Sequence, residues 1–453
     1  MAKFEYNLSE GSVAKQLLKF SLPFILSNLI QSLYSVADII IVGQFSGVYS
    51  LSGVTNSSQI NMLVTNAVIG LSVGGTVLIG QYMGSGKKKE LRDTISTLFA
   101  TLFVLAIVIT TAMLFLYVPA LKLIGIPEES FSEAKRYLFI TNLGTIFIFA
   151  YNALSAVMRG MGDSKNPLKF VSIACFTNIA LDLVLVGVLK MGAAGAALAT
   201  IFSQALSVII CIVYLRRHKF IFDFSLSSFR FNRSRLRMLI KIGIPTLFNN
   251  ITVSVSFLFL TRFANSLGAI ASAAVGSVGR FNAFAILPTI AMSSAISAMS
   301  AQNLGAGKTD RAIKTMKIGM VISVCITYTI FTLVQLFPDV FIRIFNNDPA
   351  LVEAGVIYIK SFSFDYLFVP VLFCLNGLFI GAGHTTFSLM NGIISSLLVR
   401  VPVAYILGKV MGMGLSGFGL GAPFAAGISL ILALIFYFSG RWKKQVIDSR
   451  AEL

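Results

Sequence analysis

The chain has 453 residues, of which 56% are hydrophobic and only 12% are charged, whereas soluble domains carry about 25% charged residues. This composition excludes a soluble protein and predicts a polytopic membrane protein. The formal net charge of +18 would suggest a nucleic-acid partner in a soluble chain, but in a membrane protein basic residues collect in the cytoplasmic loops. Two histidines and four cysteines without CxxC spacing argue against a zinc centre or a disulfide framework.

Twelve apolar segments are each long enough to cross the hydrocarbon core, which takes roughly 20 helical residues. The predicted fold is therefore an all-α membrane protein with twelve transmembrane helices. In chain order the spans lie at residues 17–43, 51–82, 94–118, 131–158, 168–189, 192–215, 239–266, 271–301, 312–337, 352–380, 386–409 and 414–440.

The connections between the spans alternate in charge. The even-numbered connections are basic, as in GKKKELR and GKTDRAIK, whereas the odd-numbered ones are acidic or nearly uncharged, as in IPEES and FNNDPALVE. Because positive loops are retained on the cytoplasmic side, we expect a multi-pass protein of the cell membrane with both termini in the cytoplasm. The N-terminal segment has no AxA-like cleavage site before its apolar run, which argues against a removed signal peptide.

The longest basic connection, RRHKFIFDFSLSSFRFNRSRLR, covers residues 216–237. Its interleaved aromatic and basic residues would suit RNA, but a linker on the anionic membrane surface is the favoured interpretation. The predicted organisation is an N-terminal six-helix half at 1–215, a basic cytoplasmic linker at 216–238 and a C-terminal six-helix half at 239–453.

The segment AQNLGAGKTDR at 301–311 looks at first like a phosphate-binding loop. The first glycine that a Walker A loop needs is replaced by Gln302, and the preceding apolar run has the length of a helix rather than of a strand. A second copy, GQYMGSGKKKE at 80–90, lies 221 residues earlier. The two segments are therefore predicted to be repeated helix ends, with glycine in the turn and lysine near the helix C-terminus.

The repeat continues along both halves of the chain. RGMGDS at 159–164 matches IGAGHT at 380–385, Tyr137 matches Tyr358, and Pro23 matches Pro245 with a shift of 222. Six spans per half is an even number, so both halves insert with the same orientation. They should be related by an axis along the membrane normal, with a substrate cavity between them.

Several segments together resemble the multidrug and toxic compound extrusion (MATE) family: LKFSLPFILSNLIQSLYSVADIIIVGQ, GQYMGSGK, RGMGDSKNP and TNIALDLVLVG. The resemblance covers essentially the whole chain. It implies secondary antiport, in which H⁺ or Na⁺ enters and organic, often cationic, compounds leave. The expected partners are small organic substrates and the lipid bilayer, not nucleic acid. We expect a monomer without a cofactor and without enzymatic activity.

Ionisable groups inside spans are costly and mark functional sites by default. Asp38 in span 1 and Asp182 in span 5 fall at similar depths, Asn178 lies one helical turn from Asp182, and Thr200 and Tyr34 add hydroxyl groups. Two carboxylates in a low-dielectric pocket should share a proton or hold a cation such as Na⁺. In the family that the chain resembles, residues matching Asp38, Asn178, Asp182 and Thr200 form the cation-coupling site of the first half. The alternative is that both aspartates only hydrogen-bond to neighbouring helices.

The second half lacks this constellation. The positions equivalent to Asp38, Asn178, Asp182 and Thr200 are Leu260, Val399, Val403 and Gly421. A purely structural requirement should appear in both copies, so the asymmetry favours function. Some members of the family carry an acidic residue in span 7, where this chain has Asn249 and Asn250.

The second half has its own charges in mid-span, Asp365 in span 10 and Arg400 in span 11. One interpretation is that they pair with each other, which would lower the cost of both. The other is that Asp365 faces the cavity and attracts a cationic substrate. We therefore predict a substrate cavity that includes Asp365, Arg400, Asn249 and Asn250.

The leading functional hypothesis is a cation-coupled efflux antiporter. The alternative is a lipid-linked oligosaccharide flippase of the same wider superfamily, which would need several basic residues in its cavity. An intramembrane enzyme would need a catalytic motif such as HExxH, and ATP-driven transport would need a nucleotide-binding domain; the sequence shows neither.

Overall fold

The structure is a computed structural model and describes residues 6–218, 220–225, 228–444 and 447. Three residues of the predicted linker, Lys219, Leu226 and Ser227, lie outside this range. Within it, the regular elements are helical. They are α1 (Val13–Ser85), α2 (Lys88–Leu123), α3 (Glu128–Leu143), α4 (Thr145–Gly160), α5 (Lys165–Asp182), α6 (Gly192–Arg217), α7 (Arg233–Ser266), α8 (Ala269–Ala285), α9 (Leu287–Gly305), α10 (Thr309–Leu336), α11 (Pro338–Arg343), α12 (Pro349–Phe362), α13 (Asp365–Ala382), α14 (Thr385–Ile393), α15 (Val401–Tyr405) and α16 (Gly414–Phe438).

The predicted number of spans is confirmed. Nine helices of the described chain are long and apolar enough to cross a membrane, and two bent pairs, α3–α4 at 47° and α8–α9 at 41°, bring the number to eleven. The longest helix, α1, is broken at Gly47, whose φ of 77° is non-helical, so α1 supplies spans 1 and 2. Glycine tolerates this left-handed φ without a Cβ clash. The chain is an all-α membrane protein with twelve spans.

Spans 5 and 11 depart from regular α-helix. Span 5 continues from α5 into a π-helical segment, Leu183–Val188. Span 11 contains two such segments, Ile394–Arg400 and Ile406–Val410. Because π-turns are costly and concentrate at functional sites, these spans are candidates for carrying function. The segment that ends at Arg400 has no counterpart in span 5, whose equivalent residues are regular α-helix.

The chain divides into two compact units, which do not coincide with the predicted halves. The first consists mainly of Leu26–Gly243, and the second contains Leu8–Ile25 together with the described residues of Ile244–Ala451. Each unit therefore includes the first part of a span that continues in the other unit. The boundaries at 215 and 239 were predicted from the ends of the apolar spans on either side of the basic linker, whereas the units are defined by contacts between residues.

In the first unit, the linker packs on the start of α2 through aromatic residues. Phe222 is buried, and its ring lies 5.2 Å from those of Phe99 and Phe229. The Ser96 hydroxyl also accepts a hydrogen bond from the Arg230 amide at 2.8 Å and contacts the Ser228 carbonyl. The linker aromatics are thus used for packing, which does not favour stacking on RNA bases.

In the second unit, the repeated GxGK segment holds the N-terminal residues. The Arg311 guanidinium donates to the carbonyl oxygens of Glu10 and Gly11, both at 2.7 Å, and to the Gln16 side chain at 2.8 Å. The Lys308 ammonium donates to the Ser9 carbonyl at 3.0 Å. Charged donors therefore satisfy the backbone of residues 9–11, and we call this set of bonds the N-terminal clamp.

The repeated loops differ at Asp163, which matches His384 in the second half, and the difference has a structural outcome in each half. Asp163 accepts hydrogen bonds from the Lys165 and Asn166 amides at 3.0 and 3.1 Å, so it caps the start of α5. Burial nevertheless raises the pKa of the Asp163 carboxyl. The equivalent His384 instead places its Nε2 atom 2.9 Å from the Lys444 carbonyl oxygen. The two loops therefore stabilise different segments of the chain.

Candidate functional site

The structure brings the two aspartates of the first half together. Asp38 lies on α1 and is 7% exposed, and Asp182 is the last residue of α5 and is fully buried. Their side chains are close enough to share a hydrogen bond. Carboxylates only accept hydrogen bonds, so this contact requires a proton on one of them, or a cation in its place. The pair can therefore hold one exchangeable positive charge.

Asn178 and Thr200 complete a polar network around this pair. In the orientation that satisfies its neighbours, the Asn178 amide nitrogen donates to Asp182 Oδ2 at 3.0 Å, and its oxygen accepts from the Thr200 amide at 3.2 Å. Tyr34 hydrogen-bonds to the Thr200 side chain. The five residues predicted as a cation-coupling site thus lie in one cluster, contributed by α1, α5 and α6.

The free acceptors of the cluster belong to the carboxyl groups. Asp38 Oδ1 and Asp182 Oδ1 have no hydrogen-bond donor among the described residues. Hard oxygen atoms of this kind suit a proton or Na⁺. In this orientation, by contrast, the Asn178 oxygen already accepts the Thr200 amide, so the amide would have to turn to become a Na⁺ ligand.

Tyr137 on α3 is a further member of the cluster. It is buried and lies within electrostatic range of Asp38, Asp182 and Tyr34. The sequence singled out Tyr137 only because it matches Tyr358 in the repeat. A tyrosine inside an apolar span was a usable signal, but nothing in its spacing related it to α1 or α5.

A cavity of about 470 Å³ adjoins the cluster within the first unit. Tyr34, Tyr137 and Thr200 line it, whereas Asp38 and Asp182 are not among its lining residues. Much of the remaining lining is polar, including Gln31, Asn61, Asn66, Asn152 and Gln204. The two tyrosines and Thr200 therefore stand between the carboxyl pair and a space large enough for a small organic molecule.

The equivalent positions of the second half are closely packed. Leu260 belongs to an apolar core with Tyr358 and Phe418. At Gly421, which replaces Thr200, a Cβ atom would lie 2.7 Å from the Ala404 Cβ, closer than van der Waals contact allows. The second half consequently has an apolar residue in place of Asp38 and no space for a side chain in place of Thr200.

The second half has a different polar cavity. Its volume is about 180 Å³, and Asp365, Arg400 and Asn249 all line it. Asn250 is half-buried and does not line this cavity. The sequence analysis did not single out the other polar lining residues, which are Asn282, Asn376, Ser388, Asn391, Ser395, Ser396 and Ser429. Each is polar in an apolar span, as Asn178 is, so the same signal was present.

Asp365 and Arg400 lie within electrostatic range of each other but form no ion pair at 4.0 Å or less, as far as the described residues show. Asp365 Oδ1 and Arg400 Nε also have no hydrogen-bond partner among those residues. The Arg400 guanidinium instead lies over the Phe257 ring, 5.5 Å from its centroid. The structure therefore does not show the direct Asp365–Arg400 ion pair that one of the two interpretations predicts.

No group of three or more His, Cys, Asp or Glu side chains suited to a metal ion occurs in the part of the chain that the structure describes. The carboxyl pair of the first half is smaller than such a group and relies on amide and hydroxyl neighbours.

A family model named MatE matches the chain twice, at residues 23–184 and 245–406. The chain belongs to the MATE family. The two matches are offset by 222 residues, which confirms the internal repeat. MATE proteins are transporters rather than enzymes, so the expected non-enzymatic role agrees with this assignment.

Curated relatives cover nearly the whole chain. A probable multidrug resistance protein of Bacillus subtilis, YpnP, is 30% identical over 97% of this chain and 98% of its own length. A probable multidrug resistance protein of Thermotoga maritima, NorM, is 28% identical over 97% of this chain and 95% of its own length. Both matches therefore extend over nearly the whole of each aligned chain.

Solved structures show the same fold. A transporter of the MOP superfamily from Pyrococcus furiosus superposes with a TM-score of 0.91 at 22% identity, and the match covers 98% of this chain and 100% of that chain. The MATE fold and a multi-pass membrane setting are therefore established for this protein.

Proposed function

We propose that this MATE protein is a secondary antiporter that exports organic, often cationic, compounds in exchange for H⁺ or Na⁺. The observation that carries the proposal is the buried Asp38–Asp182 pair with its polar neighbours, next to a cavity of about 470 Å³ in the same unit. The names of the relatives, probable multidrug resistance proteins, support organic compounds as substrates.

The coupling step follows from the charge of the pair. With a proton or Na⁺ bound, the Asp38 and Asp182 side chains together carry one negative charge less. This change takes place beside α1 and at the junction of α5 with its π-helical segment. A local change of charge can bias an element that has two packing arrangements. Tyr34 and Thr200, which line the cavity and belong to the cluster, would transmit the change.

The position in the cell follows the same proposal. Basic even-numbered loops support a cell-membrane protein with both termini in the cytoplasm. The complete carboxyl cluster within one chain supports a monomer as the working unit. The flippase alternative is less well supported, because the second-half cavity has one arginine, Arg400, opposed by an aspartate, and a pyrophosphate would need several basic groups.

The test is gradient-driven efflux from vesicles that contain the purified protein and a fluorescent organic cation. A pH gradient and a Na⁺ gradient are applied separately, and the gradient that drives uphill efflux identifies the ion. Asp38→Asn and Asp182→Asn should each abolish uphill efflux, because an amide keeps the shape but cannot exchange a proton and holds a cation poorly.

Asp310→Asn is the matched control, since Asp310 is exposed at the start of α10. Elution as a single species and an unchanged unfolding temperature show that each variant is folded. Full uphill efflux in both the Asp38 and Asp182 variants would contradict the proposal.

A further inference from the structure

The second half carries two ionic side chains that the proposed coupling site does not use. Asp365 begins α13 and is 5% exposed, and Arg400 ends the π-helical segment Ile394–Arg400. Both line the same cavity of about 180 Å³. The equivalent positions in the first half are Gly144 and Ile179, so this arrangement belongs to the second half alone.

The two opposite charges face one space without neutralising each other directly. They form no ion pair, and Asp365 Oδ1 and Arg400 Nε lack hydrogen-bond partners in the described chain. Buried atoms of charged groups that lack a hydrogen-bond partner are costly. A ligand with one positive and one negative group could satisfy both at once, whereas a simple cation or anion would satisfy only one.

Amide groups around the cavity add further unsatisfied acceptors. Asn249 Oδ1, Asn282 Oδ1 and Asn391 Oδ1 have no donor among the residues that the structure describes, and all three residues line the cavity. Three acceptors and one carboxylate that line the same cavity favour a ligand group that carries several N–H donors, such as a primary ammonium. The opposite charge of Asp365 assigns that group to the Asp365 carboxylate rather than to Arg400.

A larger and mainly apolar cavity shares walls with the polar one. Its volume is about 460 Å³, and Phe257, Leu260, Phe362 and Phe418 line it. Arg400 lines both cavities, and its guanidinium lies over the Phe257 ring. An aromatic or aliphatic body could therefore occupy the larger space while its charged groups reach Asp365 and Arg400.

We propose that the second half binds amphiphilic zwitterions, with a primary ammonium at Asp365, a carboxylate or similar anion at Arg400, and an apolar body in the larger cavity. The planar guanidinium of arginine matches a carboxylate in two-point contact. This inference rests on the proposed export of organic compounds and narrows its substrate class. It assigns Arg400 the recognition of an anionic group, a role that a site for simple cations would not need.

Three probes with one apolar body test the inference. At about pH 6, 4-phenyl-L-phenylalanine is zwitterionic, its methyl ester carries only the positive charge, and its N-acetyl derivative carries only the negative charge. Their affinities for the purified protein are measured by isothermal titration calorimetry without an ion gradient. We expect the zwitterion to bind at least about tenfold more tightly than either derivative, because each lost charged contact costs about 1.5 kcal/mol or more.

Variants then assign each end of the ligand. Arg400→Gln should reduce the preference for the zwitterion over the methyl ester to about one, and Asp365→Asn should do the same for the preference over the N-acetyl derivative. Arg400→Lys should keep part of the preference, since lysine retains the positive charge but cannot make the two-point contact of a planar guanidinium. Arg262→Gln is the matched control, because Arg262 is exposed on α7 and the preference should remain.

Each preference is a ratio within one protein, so a variant that is merely less stable changes both affinities and leaves the ratio in place. Equal affinity of the native protein for the zwitterion and its ester overturns the inference, as does a preference that survives Arg400→Gln. Full uphill efflux in both Asp38→Asn and Asp182→Asn, with the zwitterion preference intact, would instead refute the proposed function alone, because the calorimetry involves no gradient.

Discussion

The two halves of the molecule share an order of helices but place their buried charges at different positions. The first half has Asp38 and Asp182 where the second has Leu260 and Val403. The second half in turn has Asp365 where the first has Gly144. Each half folds without the charges of the other, so neither set is required in both copies of the repeat. The comparison supports the proposals that the first-half pair binds the coupling ion and that the second-half pair binds a different ligand.

Packing shows why neither half can carry both sets. A Cβ atom on Gly144 would lie 2.3 Å from Ile201 Cγ1, so the first half has no space for an aspartate there. A Cβ atom on Gly421 would lie 2.9 Å from the Arg400 carbonyl oxygen, so the second half has no space for the equivalent of Thr200. The close packing at Gly144 and Gly421 therefore prevents each half from carrying the polar residue that the other half has at the equivalent position.

The largest stability difference between the halves is expected at Gly377 on α13. A Cβ atom there would lie 2.6 Å from the Ser293 carbonyl oxygen on α9, whereas the first half carries Ala156 at the equivalent position. Gly377→Ala should destabilise the protein by about 2 kcal/mol, because a backbone atom has to move. The measurement is thermal unfolding in detergent.

Gly427→Ala on α16 is the control, because no atom lies within 4 Å of its added Cβ. An equal unfolding temperature for the two variants would mean that α13 and α9 are not as closely packed as described. Gly377 would then differ from Ala156 in sequence but not in the space available for a Cβ atom.

A smaller loss of stability is expected when the hydrogen bonds that hold residues 9–11 or the linker are removed. The second unit holds residues 9–11 with the Arg311 guanidinium, and the first unit holds the equivalent linker residues through the Ser96 hydroxyl. Arg311→Gln should cost about 1 to 2 kcal/mol of local stability, since charge-assisted bonds are lost at a partly exposed site. Ser96→Ala should cost about 1 kcal/mol or less.

Hydrogen–deuterium exchange measures the local stability of residues 9–11 and of the linker in one experiment. Arg311→Gln should speed exchange in peptides covering residues 8–20, and Ser96→Ala should do so only in peptides covering 228–240. Unchanged exchange at residues 8–20 in Arg311→Gln would show that the N-terminal clamp does not hold that segment.

Much of the fold could be predicted because its signals are local. Long apolar runs located the spans, and GxGK at two places 221 residues apart revealed the repeat. Local patterns missed the bends, however. The predicted spans 131–158 and 271–301 each turn by more than 40° between two helices, near Gly144 and Ile286. Average hydropathy over a span is unaffected by such a bend.

The first-half cluster could be predicted because carboxyl groups are conspicuous in apolar spans. Asp38 and Asp182 are such residues, and the i, i+4 spacing related Asn178 to Asp182. Tyr137 and the asparagines of the second-half cavity could not be placed, because their neighbours lie on other helices. The choice between pairing and separation of Asp365 and Arg400 likewise depended on side-chain geometry. The exchange of segments between the compact units depends on contacts such as that of Arg311 with Gly11, 300 residues apart.

The central claim is that the coupling ion binds in the first half. The most direct measurement is ion binding to the purified protein without substrate, by Na⁺ titration calorimetry together with proton release on raising the pH. We predict that the double variant Asp38→Asn and Asp182→Asn loses the bound ion, while Asp365→Asn keeps it. An ion that persists in the double variant and disappears in Asp365→Asn would place coupling in the second half and contradict the account.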